Sequence, residues 1–284
     1  MNTKSFNFVA IKVSRLNGEI MKIGKGRIII TAVFTALVLL SFSPTFTSAA
    51  ERTGEEIIKK ARDRETPQTS YTKIKMTLIN RKGGTRLREM MIWGKKFGKA
   101  TRSVTRFLSP PDVRDTGFLY REVPGGKDEQ FIYLPSLQQA RRIATEERSS
   151  SFMGSDFTYQ DMERREPEAD THTLLGEEDI NGSTCYRIES KPKDPESSPY
   201  SKVIQWIRKD ILVPVKADFY DKHDQLQKQL NVENLEKVEK YWISKKSVME
   251  DVLKKHKTVM EMVEIKFDQP ISDDHFTERF LQKP

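Results

Sequence analysis

Thr72-Lys73-Ile74-Lys75-Met76-Thr77-Leu78 alternates polar and apolar side chains, and Arg86 to Trp93 follows it across Lys82-Gly83-Gly84. A period of two sends successive side chains to opposite faces of a strand, and a glycine turn between two such runs describes a hairpin. Downstream, residues 100–108, 117–123 and 130–134 read as further strands, punctuated by Ser109-Pro110-Pro111, Pro124-Gly125-Gly126 and Pro135-Ser136. Residues 171–178, 184–191, 202–208, 215–220, 227–232, 241–251 and 257–267 continue the pattern, several with Val, Ile, Tyr and Trp at alternate places. An antiparallel sheet of this many strands must curl, and must close or hide its concave face, because an open one exposes apolar surface and unpaired edges. Ile57, Ile58 and Ala61 share one face of a predicted helix over 55–64 with Thr53 as its N-cap. That helix, with the 149–157 segment, is the expected lid. The polar, proline-rich loop 192–199 is the expected internal hinge.

The chain of 284 residues carries 49 Lys and Arg against 41 Asp and Glu, a net charge of +8. Lys4, Lys12, Arg15, Lys22, Lys25, Arg27 and Glu19 lie in the first 50 residues, so residues 51–284 have a net charge of only +3. Nucleic acid is therefore not an expected partner, and no nucleic-acid-binding motif supports it. Lys22, Lys25 and Arg27 precede an apolar run from Ile28 to Phe42, and Ser48 and Ala50 precede Glu51 at the −3 and −1 positions. This is the layout of a secretory signal peptide over residues 21–50, cut near Ala50. Residues 1–20 lie upstream of it and are expected to be untranslated or without function. Residues 51–284 are expected to form a single domain. Cys185 is the one cysteine, so no intramolecular disulfide forms.

No sequence pattern identifies a catalytic centre. His172, His223, His256 and His275 are far apart and belong to no metal or triad motif, and each is expected at the surface. A hydrolase would have to be assembled from distant residues, for instance Asp156 with a serine of the 149–151 cluster. The strands instead supply soft and aromatic side chains, among them Met76, Met90, Met91, Trp93, Phe107 and Trp206. Methionine adapts to irregular apolar partners, which suits an ordinary core or a cavity for flexible acyl chains. Periodicity does not separate the two.

Longer strings carry more information. Phe107-Leu108-Ser109-Pro110-Pro111, Gly117-Phe118-Leu119, Phe131-Ile132-Tyr133-Leu134-Pro135-Ser136-Leu137 and Ser151-Phe152-Met153-Gly154-Ser155-Asp156-Phe157-Thr158-Tyr159-Gln160-Asp161 resemble the LolA-like, outer-membrane lipoprotein-sorting protein family. Trp206-Ile207-Arg208, Leu212 to Asp221, Tyr241-Trp242-Ile243, His256-Lys257-Thr258 and Phe276 to Arg279 continue the resemblance to the C-terminus. The chain is longer than LolA itself and carries the Ser151–Phe157 string as an insert.

The resemblance implies a mainly β fold, an unclosed antiparallel β-barrel of the LolA/LolB kind with covering helices. It also implies a soluble, non-enzymatic periplasmic carrier that holds acyl chains of a lipid or lipoprotein in an apolar cavity and moves them between envelope membranes. No cofactor or metal is implied. A monomer is expected, with an inner-membrane resistance-nodulation-division type transporter as the protein partner. The alternative is a ligand-free adaptor of such an exporter. Alternation puts Ile74, Met76, Leu78, Met91, Trp93, Phe107, Leu119, Phe131 and Trp206 in the expected cavity lining, and Phe152, Met153 and Phe157, three large apolar residues flanking Gly154 in an otherwise polar stretch, are expected in a lid or docking segment.

Overall fold

The expected hairpin is strands β1 (Thr69–Ile79) and β2 (Thr85–Phe97) of the computed structural model, which describes residues 52–283. The expected signal peptide at 21–50 and the residues before it lie outside the described residues. Before the hairpin comes helix α1 (Gly54–Arg62). After it come β3 (Ala100–Ser109), β4 (Gly117–Arg121), β5 (Glu129–Leu134), β6 (Gln139–Arg142), β7 (Asp170–Ile180) and β8 (Ser183–Pro192). The chain continues through β9 (Lys202–Arg208), β10 (Pro214–Tyr220), β11 (Leu226–Val238), β12 (Tyr241–Asp251), β13 (His256–Phe267) and the short helix α2 (Glu278–Leu281).

All pair antiparallel in one 13-stranded sheet of order β6-β5-β4-β3-β2-β1-β13-β12-β11-β10-β9-β8-β7. Pairing of β1 with β13 closes the chain upon itself at the centre of the sheet, and hairpins run outward from there to two edges. Those edges, β6 and β7, are neighbours in sequence but not in the sheet, so the barrel is unclosed. Residues 143–169 join them and pass over the concave face. Strand β6 escapes the sequence reading because Gln139-Ala140-Arg141-Arg142 has no apolar alternation. Pairing with β5 makes it a strand.

The capping box of α1 is complete: Thr53 Oγ1 accepts the Glu56 N–H at 3.2 Å and Glu56 Oε2 accepts the Thr53 N–H at 3.2 Å. Ile57 and Ala61 then pack on Tyr186, Ile188 and Ile207 of the concave face. Gly54 is required by this approach, since a Cβ there would lie 2.4 Å from the His172 carbonyl oxygen on β7.

The concave face nearest β1 carries Ile74, Met76 and Leu78, joined by Met90, Phe107, Phe118, Tyr120, Ile132 and Phe152. Behind it, on the convex face, Val104, Leu119, Phe131 and Tyr133 form a second core with Phe276 and Leu281 from the C-terminal segment. Gly117 admits that segment, because a Cβ would stand 2.7 Å from Leu281 Cδ1. Strands β3 to β5 are thus buried on both faces. The loop 192–199 is not a free hinge: the Ser197 carbonyl accepts from Gln160 Nε2 at 2.7 Å and from Arg165 at 3.0 Å, which ties it to the crossing segment.

Candidate functional site

The string Ser151 to Thr158 folds into a small hairpin over the concave face. Phe152 N–H donates to the Phe157 carbonyl at 2.7 Å, and Met153 and Gly154 turn the chain with positive φ values of 51° and 74°. Glycine adopts that region without penalty, while Met153 is held there by its neighbours. The turn drives Phe152, 3% exposed, between Phe118 and Tyr159, with ring centroids at 5.2 and 5.6 Å. Burying a side chain of this size contributes about 1.5–3 kcal/mol. Arg88 donates to the Met153 carbonyl, and burial pushes its guanidinium below the usual range.

Two carboxylates pin the segment. Asp156, 6% exposed, accepts from Thr258 Oγ1 at 2.6 Å and lies 2.8 Å from His256 Nδ1, while its own N–H donates to Thr258 Oγ1 at 2.9 Å. Asp161 accepts from the Tyr200 hydroxyl at 3.0 Å and from the Thr158 N–H at 2.7 Å, and lies 3.6 Å from Lys228 Nζ. Burial pushes the Lys228 ammonium down from its ordinary value against the pull of Asp161, and burial with Asp161 pushes the Tyr200 phenol up. These bonds join residues 156–161 to β11 and β13, on the far side of the sheet's centre.

Beyond the pinned segment the concave face is hollow. A cavity of about 580 Å³ lies over β8 to β12, roofed by α1 and residues 157–170. Val203, Ile207, Ala217, Phe219, Leu230 and Met249 give it an apolar floor, and Arg62, Arg64, Arg164 and Arg165 stand among its polar lining. Its size falls within the ~300–1,000 Å³ common for small-molecule sites, and the apolar floor suits a hydrocarbon chain.

None of the nine sequence-selected lining residues borders this cavity. Ile74, Met76, Leu78 and Phe107 do face inward, but beneath Phe152 in the filled part of the concave face. Met91, Trp93, Leu119, Phe131 and Trp206 face outward. Ile74 pairs with Met90, so parity on β2 puts Met90 and Ile92 inside and Met91 and Trp93 outside. Leu119 and Phe131 are buried by the C-terminal segment instead, and Trp93 packs partly buried against the same cluster. Trp206 lies on the convex face with its ring under Lys216, 4.1 Å from the centroid, and its Nε1 donates to Glu178 at 2.8 Å.

Of the lid residues, Phe152 and Met153 pack on the filled part, and Phe157 both packs there and lines the cavity. His172 is not a surface residue: it is 7% exposed between Ser190 Oγ and the Pro167 carbonyl, whereas His256 is partly exposed beside Asp156. Arg62, Arg64, Arg164, Arg165, Tyr200 and Lys228 are not among the residues expected at the site. The signal available was Lys228, a lysine at an inward parity position of a strand.

A family model of uncharacterized proteins matches residues 99–283. The chain is similar to a DUF1329 family protein from Desulfovibrio piger, 31% identical over 80% of this chain and 97% of that one, with a TM-score of 0.76. It is also similar to a protein from Vibrio parahaemolyticus assigned as an outer membrane lipoprotein-sorting protein domain, 29% identical over 81% of this chain and 98% of that one, with a TM-score of 0.77. A LolA superfamily protein from Nitrosomonas europaea, 21% identical over 81% of this chain and 100% of that one, shares the fold at a TM-score of 0.64. A search of curated proteins gave no match. The unclosed barrel, its crossing segment and these likenesses lead to one conclusion: the chain belongs to the LolA-like, outer-membrane lipoprotein-sorting protein family, within its DUF1329 group.

Proposed function

We propose that this protein is a periplasmic, non-enzymatic carrier that takes an acyl chain of a lipid or lipoprotein into the cavity over β8 to β12 and moves it between envelope membranes. The observation that carries this reading is the 580 Å³ cavity with an apolar floor in a sheet whose remaining concave face is filled. Each methylene withdrawn from water there contributes about 0.8 kcal/mol, so a cavity holding ten would retain a chain with about 8 kcal/mol before ordering costs. Release to an acceptor then requires the roof to move. Phe157, which bridges the filled part and the cavity, is the proposed moving contact. Displacing the 151–158 hairpin would also uncover Ile74, Met76, Leu78 and Phe107 as further lining. Among the described residues no helix is long and apolar enough to cross a membrane. A resistance-nodulation-division type transporter is the proposed donor or acceptor.

The test is to express the chain with its leader, purify the product from the periplasm without detergent, and combine lipid extraction with native mass spectrometry. A stoichiometric phospholipid or acylated species is expected. Purification without lipid, together with no uptake from vesicles, would overturn the carrier in favour of the ligand-free adaptor.

A further inference from the structure

The floor of the cavity addresses a hydrocarbon chain, but three cations at and behind its rim address something else. Arg64 and Arg164 line the cavity, and Lys96 stands behind its rim, donating from Nζ to the carbonyl of Thr66, itself a lining residue, at 2.8 Å. Other cavity arginines are neutralised: Arg62 pairs with Glu122 and Glu166 at 2.8 and 2.7 Å, and Arg165 with Asp170 at 2.6 Å. Arg64, Lys96 and Arg164 have no carboxylate within ion-pair distance among the described residues. Arg64 donates to the Ala61 carbonyl at 2.9 Å, and Arg164 to the Arg62 carbonyl at 2.8 Å and to Thr101 Oγ1 at 3.3 Å.

The nearby acids are engaged elsewhere, Glu65 with Lys240 at 2.6 Å and Asp268 with the Tyr241 hydroxyl at 2.8 Å. The cations also oppose one another: burial and the neighbouring Arg164 push both Arg64 and Lys96 below their ordinary values. The carbonyls at the C-terminal end of α1 explain how the two guanidinium groups are aimed. They leave most of the ten guanidinium N–H donors unused, in the forked geometry that fits phosphate oxygens.

We infer that Arg64, Lys96 and Arg164 form the head-group site of the cavity, selecting an acyl ligand that carries a phosphate monoester or diester with net negative charge. The inference rests on the carrier reading above, and it adds to that reading a ligand class. A chain enters over Val203, Ala217 and Leu230 while its phosphate stays at the rim, where the three cations replace its water.

The experiment uses the mature protein, stripped of lipid, with vesicles of phosphatidylcholine alone or of phosphatidylcholine with phosphatidylglycerol, and separately with inorganic phosphate. Wild type is expected to extract phosphatidylglycerol about tenfold more readily than phosphatidylcholine, as charge-assisted bonds to phosphate would give. In the Arg64→Gln/Arg164→Gln double variant that preference should vanish while phosphatidylcholine uptake persists. Thr66→Glu, which places a carboxylate among the cations without removing them, should also abolish the preference and keeps the test open if the double variant fails to fold. Extraction of both lipids without preference by wild type, or a preference retained in both variants, overturns the head-group site and leaves the carrier standing. No extraction of either lipid overturns both. Saturable binding of inorganic phosphate, lost in the variants and unaccompanied by lipid preference, would make this a free-phosphate site and also overturn the inference.

Discussion

One face of one sheet is finished in two different ways. Over β1 to β5 it is filled, with Met76, Met90, Phe107, Phe118 and Ile132 reaching up to Phe152. Over β8 to β12 it is hollow, because Ser190, Val203 and Ala217 are too short to meet the roof. The backbone does the same thing in both places. What differs is side-chain length and what residues 143–169 set down on each part: an aromatic wedge on one, a polar strap on the other. Close packing fixes the structure of the filled half, and the missing volume in the hollow half is what a ligand can use.

The largest test of this division is truncation of an aromatic ring in each half. Phe152→Ala should cost about 3–5 kcal/mol, since the wedge sits in a closed cluster that cannot collapse around the gap. Phe219→Ala, on the cavity floor, should cost about 1 kcal/mol, because its ring already borders empty space. Urea unfolding of the two variants measures the contrast, and equal losses would mean that the cavity floor is as tightly supported as the core.

Ligand should reverse the asymmetry. A lipid present at about 100 times its dissociation constant adds about 2.7 kcal/mol to the stability of the whole chain. Hydrogen exchange should slow most in β8 to β11 and change little in β2 to β5. Uniform slowing would show that the halves do not open independently.

Asp156 ties the two halves together, and its loss should matter less than that of Phe152. Asp156→Asn keeps the shape but weakens the bonds to Thr258, which is fully buried, and to His256. The expected cost is about 1–3 kcal/mol. Limited proteolysis should then cut within residues 149–161 sooner than in wild type. Unchanged cleavage would show that Asp156 is not needed to hold the segment, and that Phe152 and the Asp161 contacts suffice.

Much of this architecture was legible in the residues. Alternation in 72–78 and 86–93 predicted the hairpin, and the turn residues downstream predicted all but one of the strands, with Gln139 to Arg142 the exception. The inward face was legible at Ile74, Met76 and Leu78, whose alternates Lys73, Lys75 and Thr77 are polar. It was not legible in β4, where Phe118, Leu119 and Tyr120 are all buried, because the C-terminal segment covers the other side. A strand buried on both faces has no polar alternate to declare its parity. The cavity was hidden for the opposite reason, since its floor includes residues such as Val203 and Ala217 whose importance lies in being short. The Ser151–Phe157 string was visible as unusual, but its partners, Thr258 and His256, lie about a hundred residues on and are joined to it only by the topology.

The smallest expected effect concerns Lys228, the inward lysine of β11 that meets Asp161 of the strap. Burial holds its folded-state pKa below the ordinary value of 10.5 despite Asp161. In the pH range just below 10.5 the unfolded chain therefore binds more protons at this position than the folded chain. Stability from this group must rise with pH through that range, while below the folded pKa the cost of burying the ammonium is present in full. Tyr200 acts in the other direction, because its raised pKa makes the folded state hold its proton longer, a contribution lost only above pH 10. Subtracting the pH–stability curve of Lys228→Gln from that of wild type isolates the lysine as long as Tyr200 remains protonated in both. A difference that grows in favour of wild type between pH 8 and 10 is expected. A flat difference would mean that water reaches the ammonium, and that the hollow half is wet where the strap crosses it.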